Sequence, residues 1–435
     1  MSRRDFLGSS AAAMFTAGTA ARSRVWGAND RIGVCVIGFN GQGRSHIRNI
    51  MAESDAEIVA LCDVDSQVLE KGVQMVKETQ GKAPKAYRDL REVMADDSIQ
   101  AISTATPNHW HALITVWACQ AGKDVYVEKP MSHSAFESRQ CVAAAKKYGR
   151  IVLHGTQSRS DSALIRDMRL IREGFIGKIV HSRGVVYKNG NRNPIGHGAP
   201  GPAPANLDWT LWQGPSKENP FLINKDRDKP GLHVHYDWHW FWEYGNGEIG
   251  NQGVHQMDIA CWAHNRGKPV KVTSTGGRFA WDDDGETPNT QATQFTYKDG
   301  SLMTFEVRNL GSFWEGGQEA GASTNSAFGE TGYYICNRGF FDYKNKPIEV
   351  TEELPEEVPH FRRFFSAVRS RRPEQLPVTV EDAHVACIHC QIGNVAYRVG
   401  HTLDFDPATE RFLNSDEANG MMKRDYRKGF EVPKV

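Results

Sequence analysis

The chain has no excess of charge of either sign and no long apolar run. Its 435 residues include 52 Lys and Arg and 52 Asp and Glu, so the formal net charge is zero. Binding of nucleic acid through charge needs a clustered basic face, and a membrane-spanning helix needs about 18 consecutive apolar residues. The sequence has neither, nor an internal repeat. We therefore expect no nucleic-acid partner and no membrane insertion after removal of a leader described below.

Cysteine is too scattered to build a disulfide scaffold. The eight cysteines lie in segments with the apolar patterns of buried strands and helices, at positions 35, 62, 119, 141, 261, 336, 387 and 390. Cys387 and Cys390 flank His389, which is compatible with a metal or redox site. However, they lie inside a helical apolar pattern and no second cysteine pair accompanies them. We expect core thiols and no bound metal.

Residues 1–28 have the features of an export signal. Arg3 and Arg4 precede the mildly apolar segment 11–21, which ends in small residues. A basic, an apolar and a small-residue region in this order are typical of a twin-arginine signal. The alternative is a disordered cytoplasmic tail. We expect export to the periplasm or the extracellular space.

A strand and a glycine-rich turn follow the leader. Residues 31–38 (RIGVCVIG) are an apolar, β-branched run that ends in Gly38, and Gly41 and Gly43 come next. Glycines here allow the chain to turn, the backbone to approach a diphosphate and the next helix to pack on the strand. Asn40 stands at the second glycine position of the usual G-x-G-x-x-G spacing, and asparagine tolerates positive φ well. The spacing predicts a Rossmann dinucleotide-binding loop.

An acidic residue lies where the ribose of a dinucleotide is expected. After a predicted helix over 45–51, a second strand over 57–63 ends at Asp63, 20 residues beyond Gly43. A carboxylate at this position accepts hydrogen bonds from the adenosine ribose hydroxyls, which favours NAD over NADP. The alternative is a tight strand–helix turn in which Asp63 only caps the strand end.

Further elements complete a nucleotide-binding domain over residues 29–154. Strands and helices are predicted over 99–106, 111–121, 124–127, 135–148 and 151–154. The strand over 124–127 delivers Glu128 and Lys129 to its carboxyl end, where open α/β sheets bind their ligands. Lys129 is therefore a candidate catalytic residue. The alternative is a solvated lysine at the end of a strand.

Residues 155–435 are predicted to form an α+β domain that binds the substrate. Alternating apolar patterns predict strands over 270–275, 292–297 and 302–307, and a hairpin turn joins the last two. Stretches rich in glycine and polar residues, over 188–230 and 312–332, are expected to be loops. Closing helices are predicted over 361–370 and 380–399.

The segment 233–244 (HVHYDWHWFWEY) alternates aromatic faces with polar and ionisable groups. Such a segment suits stacking on a sugar ring and hydrogen bonding to its hydroxyls. His235, Tyr236 and Trp238 are the candidates for contact with the substrate. One alternative is an aromatic packing cluster between the domains. Another is a metal site built from His233, His235 and His239.

These motifs together resemble those of the Gfo/Idh/MocA oxidoreductase family. The matching segments, besides the nucleotide loop, are Thr106–His111 (TPNHWH), Glu128–Pro130 (EKP) and Gly247–His255 (GEIGNQGVH). The resemblance spans nearly the whole chain after the leader. It implies that the cofactor is contacted by Thr106, Asn108, His111, Glu128 and Lys129.

The same resemblance has consequences for the second domain. It implies a large, mostly antiparallel open sheet that packs beside the nucleotide domain. Sheets of this kind often mediate assembly in the family, so we expect a homo-oligomer, either a dimer or a tetramer. The segments 392–400 and 416–419 resemble those of a secreted branch whose activities are mostly unassigned.

Lys129 and His255 are the candidates for moving a hydroxyl proton. Removal of a hydride from a secondary alcohol needs a base, and a partly desolvated lysine beside a nicotinamide cation loses its proton more readily. Histidine titrates in a useful range. A helix over 251–258 would place Asn251 and Asp258 on the same helix face as His255, where they could orient its ring. The alternative is a core histidine. Many family dehydrogenases have aspartate at the position of Asn251, which cannot ionise.

The leading hypothesis is an exported, NAD-dependent oxidoreductase that acts on a small carbohydrate, a polyol or a glycoside. Since free NAD is scarce outside the cytoplasm, we expect the cofactor to be bound tightly. The alternative is a redox-neutral glycosidase or lyase that oxidises a sugar carbon, eliminates a substituent, adds water and reduces the carbon again. A sugar-binding sensor without catalysis is a third class, which the presence of Lys129 and His255 disfavours.

Overall fold

The computed structural model describes residues 30–188, 193–310 and 323–435. These ranges form a six-stranded sheet, a ten-stranded sheet and a small two-stranded sheet. The leader predicted over 1–28 lies outside the described residues. Within the described ranges, every helix is too short or too polar to cross a membrane.

The first sheet is entirely parallel and has the strand order β3-β2-β1-β4-β5-β6. Its strands are β1 (Ile32–Ile37), β2 (Ala56–Cys62), β3 (Lys85–Tyr87), β4 (Ala101–Thr104), β5 (Asp124–Val127) and β6 (Val152–His154). All six residues of β1 are buried, as expected for a central strand covered by helices on both faces. This strand order is that of a Rossmann fold, which confirms the predicted fold of the first half.

Five helices connect these strands: α1 (Gly43–Met51), α2 (Ser66–Gln80), α3 (Leu90–Ala95), α4 (Asn108–Gln120) and α5 (Ala135–Lys147). The side chain of Asp65 caps α2 by accepting from the backbone N–H groups of Gln67 and Val68, and a capping box of Ser134 and Glu137 begins α5. Strand β4 is shorter than the predicted 99–106, because its pairing with β1 ends at Thr104 and the chain then turns into α4.

The second sheet has the order β16-β15-β14-β13-β7-β12-β11-β10-β17-β18. Its strands are β7 (His181–Tyr187), β10 (Lys271–Gly277), β11 (Thr290–Thr296), β12 (Leu302–Arg308), β13 (Ser323–Phe328), β14 (Gly332–Ile335), β15 (Gly339–Asp342), β16 (Pro347–Ile348), β17 (Leu403–Asp406) and β18 (Arg411–Phe412). Only the pair β7 and β12 is parallel among these described strands. The predicted large, mostly antiparallel sheet is confirmed.

Helices cover one face of this sheet. The helices of the second half are α6 (Ser162–Arg172), α7 (Trp209–Gln213), α8 (Gly247–Gly250), α9 (Gly253–His264), α10 (His360–Ser370), α11 (Val380–Val399) and α12 (Asp416–Met421). Along β12 the residues alternate between buried and half-buried, which is the pattern of a sheet with one face in the core. Helices α9 and α11 pack against that buried face.

Two predicted loops contain regular structure. The segment 188–230 holds α7 and a two-stranded sheet of β8 (Gly198–Pro200) and β9 (Leu222–Asn224). Residues 311–322 of the second predicted loop lie outside the described residues, but residues 323–328 form β13, so the loop prediction is wrong there. The strand has few apolar side chains, so the sequence pattern does not indicate it. Its buried Asn325 is stabilised by a distant partner instead, since the Asn325 Nδ2 donates to the Gln256 carbonyl oxygen at 2.7 Å.

The two large sheets are joined along the carboxyl edge of the parallel sheet. The Ser66 N–H donates to the Asn206 carbonyl oxygen at 2.9 Å, and the Asp208 N–H donates to the Val64 carbonyl oxygen at 3.0 Å. On the other side, the N–H of Met131 donates to the Sγ of Cys387 at 3.3 Å. The second domain therefore closes over the edge at which ligands of a Rossmann fold bind.

The glycine-rich turn supplies a prediction about packing. A β-carbon at Gly43 would lie 2.2 Å from the carbonyl oxygen of Gly38, whereas one at Gly41 would meet nothing within 4 Å. We expect Gly43→Ala to destabilise the protein by about 1–3 kcal/mol, because α1 must move away from β1. Gly41→Ala is the matched control and should unfold at the wild-type temperature. Equal melting temperatures for the two variants would contradict this packing.

Candidate active site

A cavity of about 480 Å³ lies at the carboxyl edge of the parallel sheet. The predicted site residues that line it are Gly38, Asn40, Gly41, Asp63, Thr106, Asn108, His111, Glu128, Lys129, His235, Tyr236, Trp238, Asn251 and His255. The structure thus brings cofactor and substrate candidates from both domains into one cleft. Gly43 and Asp258 do not line this cavity.

The glycine-rich turn provides space for a diphosphate. Gly38 has a φ of 72°, in the left-handed region, and a β-carbon there would lie 2.8 Å from the Thr106 Cγ2. No side chain caps the amino-terminus of α1, and the surroundings of the Gly41 α-carbon are open. A helix amino-terminus with open backbone in front of it suits a dinucleotide diphosphate. Gly43 serves this loop by letting α1 approach β1.

Asp63 lies at the end of β2, beside the cavity. Its carboxylate accepts hydrogen bonds from the backbone N–H groups of Phe39 at 3.1 Å and Asp65 at 3.0 Å, which fix its orientation. Burial raises the pKa of this carboxyl to about 6. At neutral pH it is therefore ionised and able to accept from ribose hydroxyls.

Lys129 and Asn251 connect the two domains inside the cavity. The Lys129 Nζ donates to the carbonyl oxygen of Asn251 at 3.1 Å and to its Oδ1 at 3.3 Å. The Asn251 Nδ2 in turn donates to the hydroxyl oxygen of Tyr236 at 3.2 Å. An amide can accept from an ammonium and donate to a phenol at the same time, which an ionised carboxylate cannot. Asn251 therefore positions Lys129 and Tyr236 together.

His255 faces the same cavity in its neutral form. Burial, and after it the nearby charge of Lys129, lower the pKa of its imidazole to about 3. A neutral imidazole can act as a general base at pH 7.

Residues 251–258 do not form one continuous helix, which is the condition on which a shared face of Asn251, His255 and Asp258 depends. Asn251 ends α8 with φ and ψ of −80° and −89°, and a new helix, α9, begins at Gly253. Asn251 and His255 therefore do not share one helix face. Within the site, the Asn251 side chain accepts a hydrogen bond from Lys129 and does not orient the imidazole of His255.

Asp258 does not orient His255. Its carboxylate is fully buried and accepts from Arg159, with Oδ2 2.7 Å from Nε and Oδ1 2.8 Å from Nη2. The guanidinium of Arg159 also lies over the ring of Trp262, 4.2 Å from its centroid. A buried carboxylate needs a hydrogen-bonded cation, and this pairing turns Asp258 away from the cavity.

Glu128 holds the backbone of Lys129 in place through a hydrogen bond. Its Oε1 lies 3.1 Å from both the His46 Nε2 and the Gln157 Nε2, and its Oε2 accepts from the Lys129 N–H at 3.1 Å. Burial alone would raise the pKa of Glu128, but hydrogen bonding and charge from His46 outweigh burial and hold that pKa well below its usual range. Glu128 thus fixes the backbone on which Lys129 stands.

His111 and Asn108 also act through hydrogen bonds within the protein. The His111 ring nitrogens lie 2.6 Å from the Pro130 carbonyl oxygen and 2.7 Å from that of Thr106. The Asn108 Nδ2 donates to the Asn246 Oδ1 at 3.2 Å. These contacts hold the ends of β4 and β5 in place around the cavity.

The aromatic segment 233–244 divides between the cavity and the core. Its members in a buried apolar cluster are Val234, Trp238, Trp240, Phe241 and Tyr244. Tyr236 is 45% exposed, and the Nε1 of Trp238 donates to the carbonyl oxygen of His235 at 3.0 Å. His235, Tyr236, Trp238 and His239 line the cavity, so substrate contact is open to the three predicted residues. No cluster of three potential metal ligands occurs within the described ranges.

Some lining residues were not found from the sequence. Gln157 follows β6 at the same carboxyl edge as Lys129, so the strand order alone would have indicated it. Leu207, Leu211 and Trp212 line the cavity from the second domain, and no local pattern marks them.

Comparison with known families agrees with this geometry. Residues 32–156 match the model of the oxidoreductase family with an NAD-binding Rossmann fold, and residues 189–432 match its C-terminal α/β domain. The chain belongs to the Gfo/Idh/MocA oxidoreductase family. It is therefore an enzyme of an NAD-binding family, and the expected NAD cofactor is confirmed.

Curated relatives match only part of the chain. A glycosyl hydrolase family 109 protein of Shewanella pealeana is 28% identical over 162 residues, which are 35% of this chain and 34% of that protein. A protein of the same name from Stenotrophomonas maltophilia is 25% identical over 209 residues, 44% of this chain and 45% of the relative. The chain thus spans less than half the length of either of these relatives.

Solved structures share the fold over most of the chain. GenD2 from gentamicin A biosynthesis, in complex with NAD, has a TM-score of 0.62 at 19% identity and covers 88% of this chain and 99% of its own. The WlbA dehydrogenase of Bordetella pertussis, in complex with NADH and UDP-GlcNAcA, has a TM-score of 0.63 at 17% identity, with 87% and 98% covered.

The pairing of Asp258 yields a prediction that separates stability from catalysis. Asp258→Asn leaves the buried Arg159 without its counter-charge, so we expect a loss of about 3–5 kcal/mol in unfolding free energy. The kcat of the folded variant and its pH profile should stay at the wild-type level, since Asp258 does not touch the cavity. The measurements are a melting curve and a pH–rate profile; a kcat loss of about 100-fold without destabilisation would contradict the structure.

Proposed function

We propose that this protein is an NAD-dependent glycosidase whose catalytic cycle leaves the cofactor unchanged overall. The observation that carries the proposal is the presence of three proton-transferring side chains in one cleft: Lys129, His255 and Tyr236. Net oxidation of an alcohol needs one such group for the hydroxyl proton. Cleavage by oxidation and elimination needs further groups for a carbon-bound proton and for the leaving group.

The cleft suits NAD on the evidence of its own residues. The open backbone at Gly41 and the amino-terminus of α1 would hold the diphosphate, and Asp63 would accept from the ribose. NAD, when bound, supplies an acceptor for a substrate hydride and returns that hydride at the end of the cycle.

The side chains of the protein then move the protons. We assign the hydroxyl proton to Lys129 in its neutral amine form, which keeps two N–H donors for Asn251 and has one lone pair to accept that proton. Asn251 holds the side chain in place, and Glu128 holds its backbone N–H. Oxidation of that carbon to a carbonyl acidifies the neighbouring C–H, and we assign the removal of its proton to His255, which lines the same cavity in its neutral form. The glycosidic C–O bond breaks, the leaving oxygen takes a proton, water adds, and the carbonyl is reduced again.

Tyr236 is proposed as the group at the leaving oxygen. Its hydroxyl oxygen accepts from Asn251, so its own proton is directed to another acceptor, and the side chain is 45% exposed at the mouth of the cleft. The name of the glycosyl hydrolase family 109 relatives supports this reading of the site.

Export and assembly belong to the same proposal. We propose that the twin-arginine leader over 1–28 exports the protein, and that the protein assembles as a homo-oligomer. A cofactor that is regenerated in each turnover suits a compartment in which free NAD is scarce. A small carbohydrate or glycoside is the proposed substrate.

The redox-neutral cycle is tested in D2O with a panel of p-nitrophenyl hexosides and N-acetylhexosaminides. We expect p-nitrophenol release without accumulation of NADH, and deuterium at the carbon next to the oxidised one. Lys129→Ala should lower kcat about 1000-fold or more while the amount of bound NAD stays the same. Lys225→Ala, at an exposed lysine, is the matched control. Stoichiometric NADH without nitrophenol release would identify a net dehydrogenase instead.

The pH dependence of the rate tests the state of His255. Because its pKa lies at about 3, the imidazole is neutral across pH 5–8 and its contribution to kcat should be constant there. His255→Asn should therefore lower kcat by a similar factor at every pH in this range. An inflection near pH 6.5 in the wild-type profile that vanishes in the variant would show instead a histidine that titrates normally.

A further inference from the structure

A second cavity, of about 790 Å³, lies beside the first and has none of its lining residues. Its walls come from the start of α5, from α11, from His233 and Glu286, and from three segments: residues 217–222, 241–246 and 420–425. The ring of Tyr244, which lines this cavity, and the ring of Trp212, which lines the first, are 5.0 Å apart. An aromatic wall therefore separates the two sites.

Four side chains on the walls of this second cavity carry buried polar atoms with no hydrogen-bond partner among the described residues. The atoms are both ring nitrogens of His133, the Nδ1 of His233, the Oε1 of Gln391, and the Nε and Nη1 of Arg424. His233 and Gln391 are only 5% and 6% exposed. Each unpaired buried polar group costs about 1–3 kcal/mol, so their presence around one cavity indicates a polar ligand that completes them.

The paired atoms of the same side chains hold them in place. The Gln391 Nε2 donates to the carbonyl oxygen of Ser132 at 3.2 Å and to its Oγ at 2.9 Å, which leaves the amide oxygen as an acceptor. The Arg424 Nη2 donates to the Ser216 Oγ at 3.2 Å and to the carboxylate of Glu243. Its remaining N–H groups are donors. The cavity thus presents both acceptors and donors, as hydroxyl groups require.

The charges around the cavity nearly cancel. The cavity is lined by four cationic side chains, those of Lys217, Arg398, Lys423 and Arg424, and by three carboxylates, those of Glu243, Glu286 and Asp425. An ionic ligand would call for an excess of the opposite charge. Trp242 is only partly buried, and amide side chains share the walls with it. An aromatic ring among amides and near-balanced charges suits an uncharged pyranose.

We propose that the second cavity is a carbohydrate-binding site separate from the catalytic cleft. A pyranose would pack on Trp242, donate a hydroxyl hydrogen to Gln391 and accept from Arg424, while His233 pairs with a further hydroxyl. None of these groups belongs to the cofactor cleft, so the site binds sugar without converting it. Its occupancy does not depend on the reaction proposed above.

The experiment measures sugar binding to the full-length protein by saturation-transfer NMR and calorimetry. The probes are methyl galactoside, lactose, cellobiose and N,N′-diacetylchitobiose. We expect at least one to bind, and Trp242→Ala and Gln391→Met each to weaken its affinity about tenfold or more. Tyr236→Ala, in the first cavity, is the matched control and should keep this affinity. Melting temperature and NAD content establish that each variant is folded.

Turnover gives a second readout. Trp242→Ala should release p-nitrophenol from any glycoside substrate at the wild-type rate, because Trp242 does not line the catalytic cleft. The proposal is overturned if no probe binds at about 10 mM. It is equally overturned if affinity is lost in Tyr236→Ala and kept in Trp242→Ala and Gln391→Met, which would place the sugar in the first cavity. Failure of the glycosidase proposal leaves these binding results unaffected.

Discussion

The contact between Lys129 and Asn251 is the constraint on which the site depends. Lys129 stands at the end of β5 in the nucleotide domain, and Asn251 ends α8 in the second domain. Two hydrogen bonds from one ammonium, at 3.1 and 3.3 Å, fix the distance between the sheet edge and the second domain. This contact holds the candidate catalytic side chains of the two domains together inside the cavity, whose walls come from both sides of the contact.

Burial makes this arrangement rigid. Glu128 precedes Lys129 in the chain and is only 4% exposed. Its carboxylate has hydrogen bonds to the side chains of His46 and Gln157 and to the backbone N–H of Lys129. A buried carboxylate of this kind is stable only while every partner is present, so movement of Lys129 would break several bonds together. The neutral state of His255 has the same origin, since burial is the largest influence on its pKa.

The nucleotide half could be predicted from the sequence because its signals are local. A buried strand, a glycine turn and an acid at the next strand end lie within about 30 residues of one another, and the strand order then follows from the Rossmann fold. Asp258 was misplaced because its partner, Arg159, lies 99 residues earlier in the chain. The break between α8 and α9 falls on residues 250–253 (GNQG), where no apolar side chain supports a continuous helix. The second cavity is lined by segments spread from residue 133 to residue 425, and no motif connects them.

Asn251 departs from the pattern of many family dehydrogenases, and its hydrogen bonds bear on the proposed function. A carboxylate at this position accepts hydrogen bonds only, so it can hold the lysine but cannot donate to the oxygen of Tyr236. The amide does both, and it thereby brings a phenol into a cleft that already holds an ammonium and a neutral imidazole. Hydride transfer alone does not need a third proton-transferring group such as the phenol of Tyr236. The proposed redox-neutral cycle breaks and remakes a bond to oxygen, and it would use such a group at the leaving oxygen.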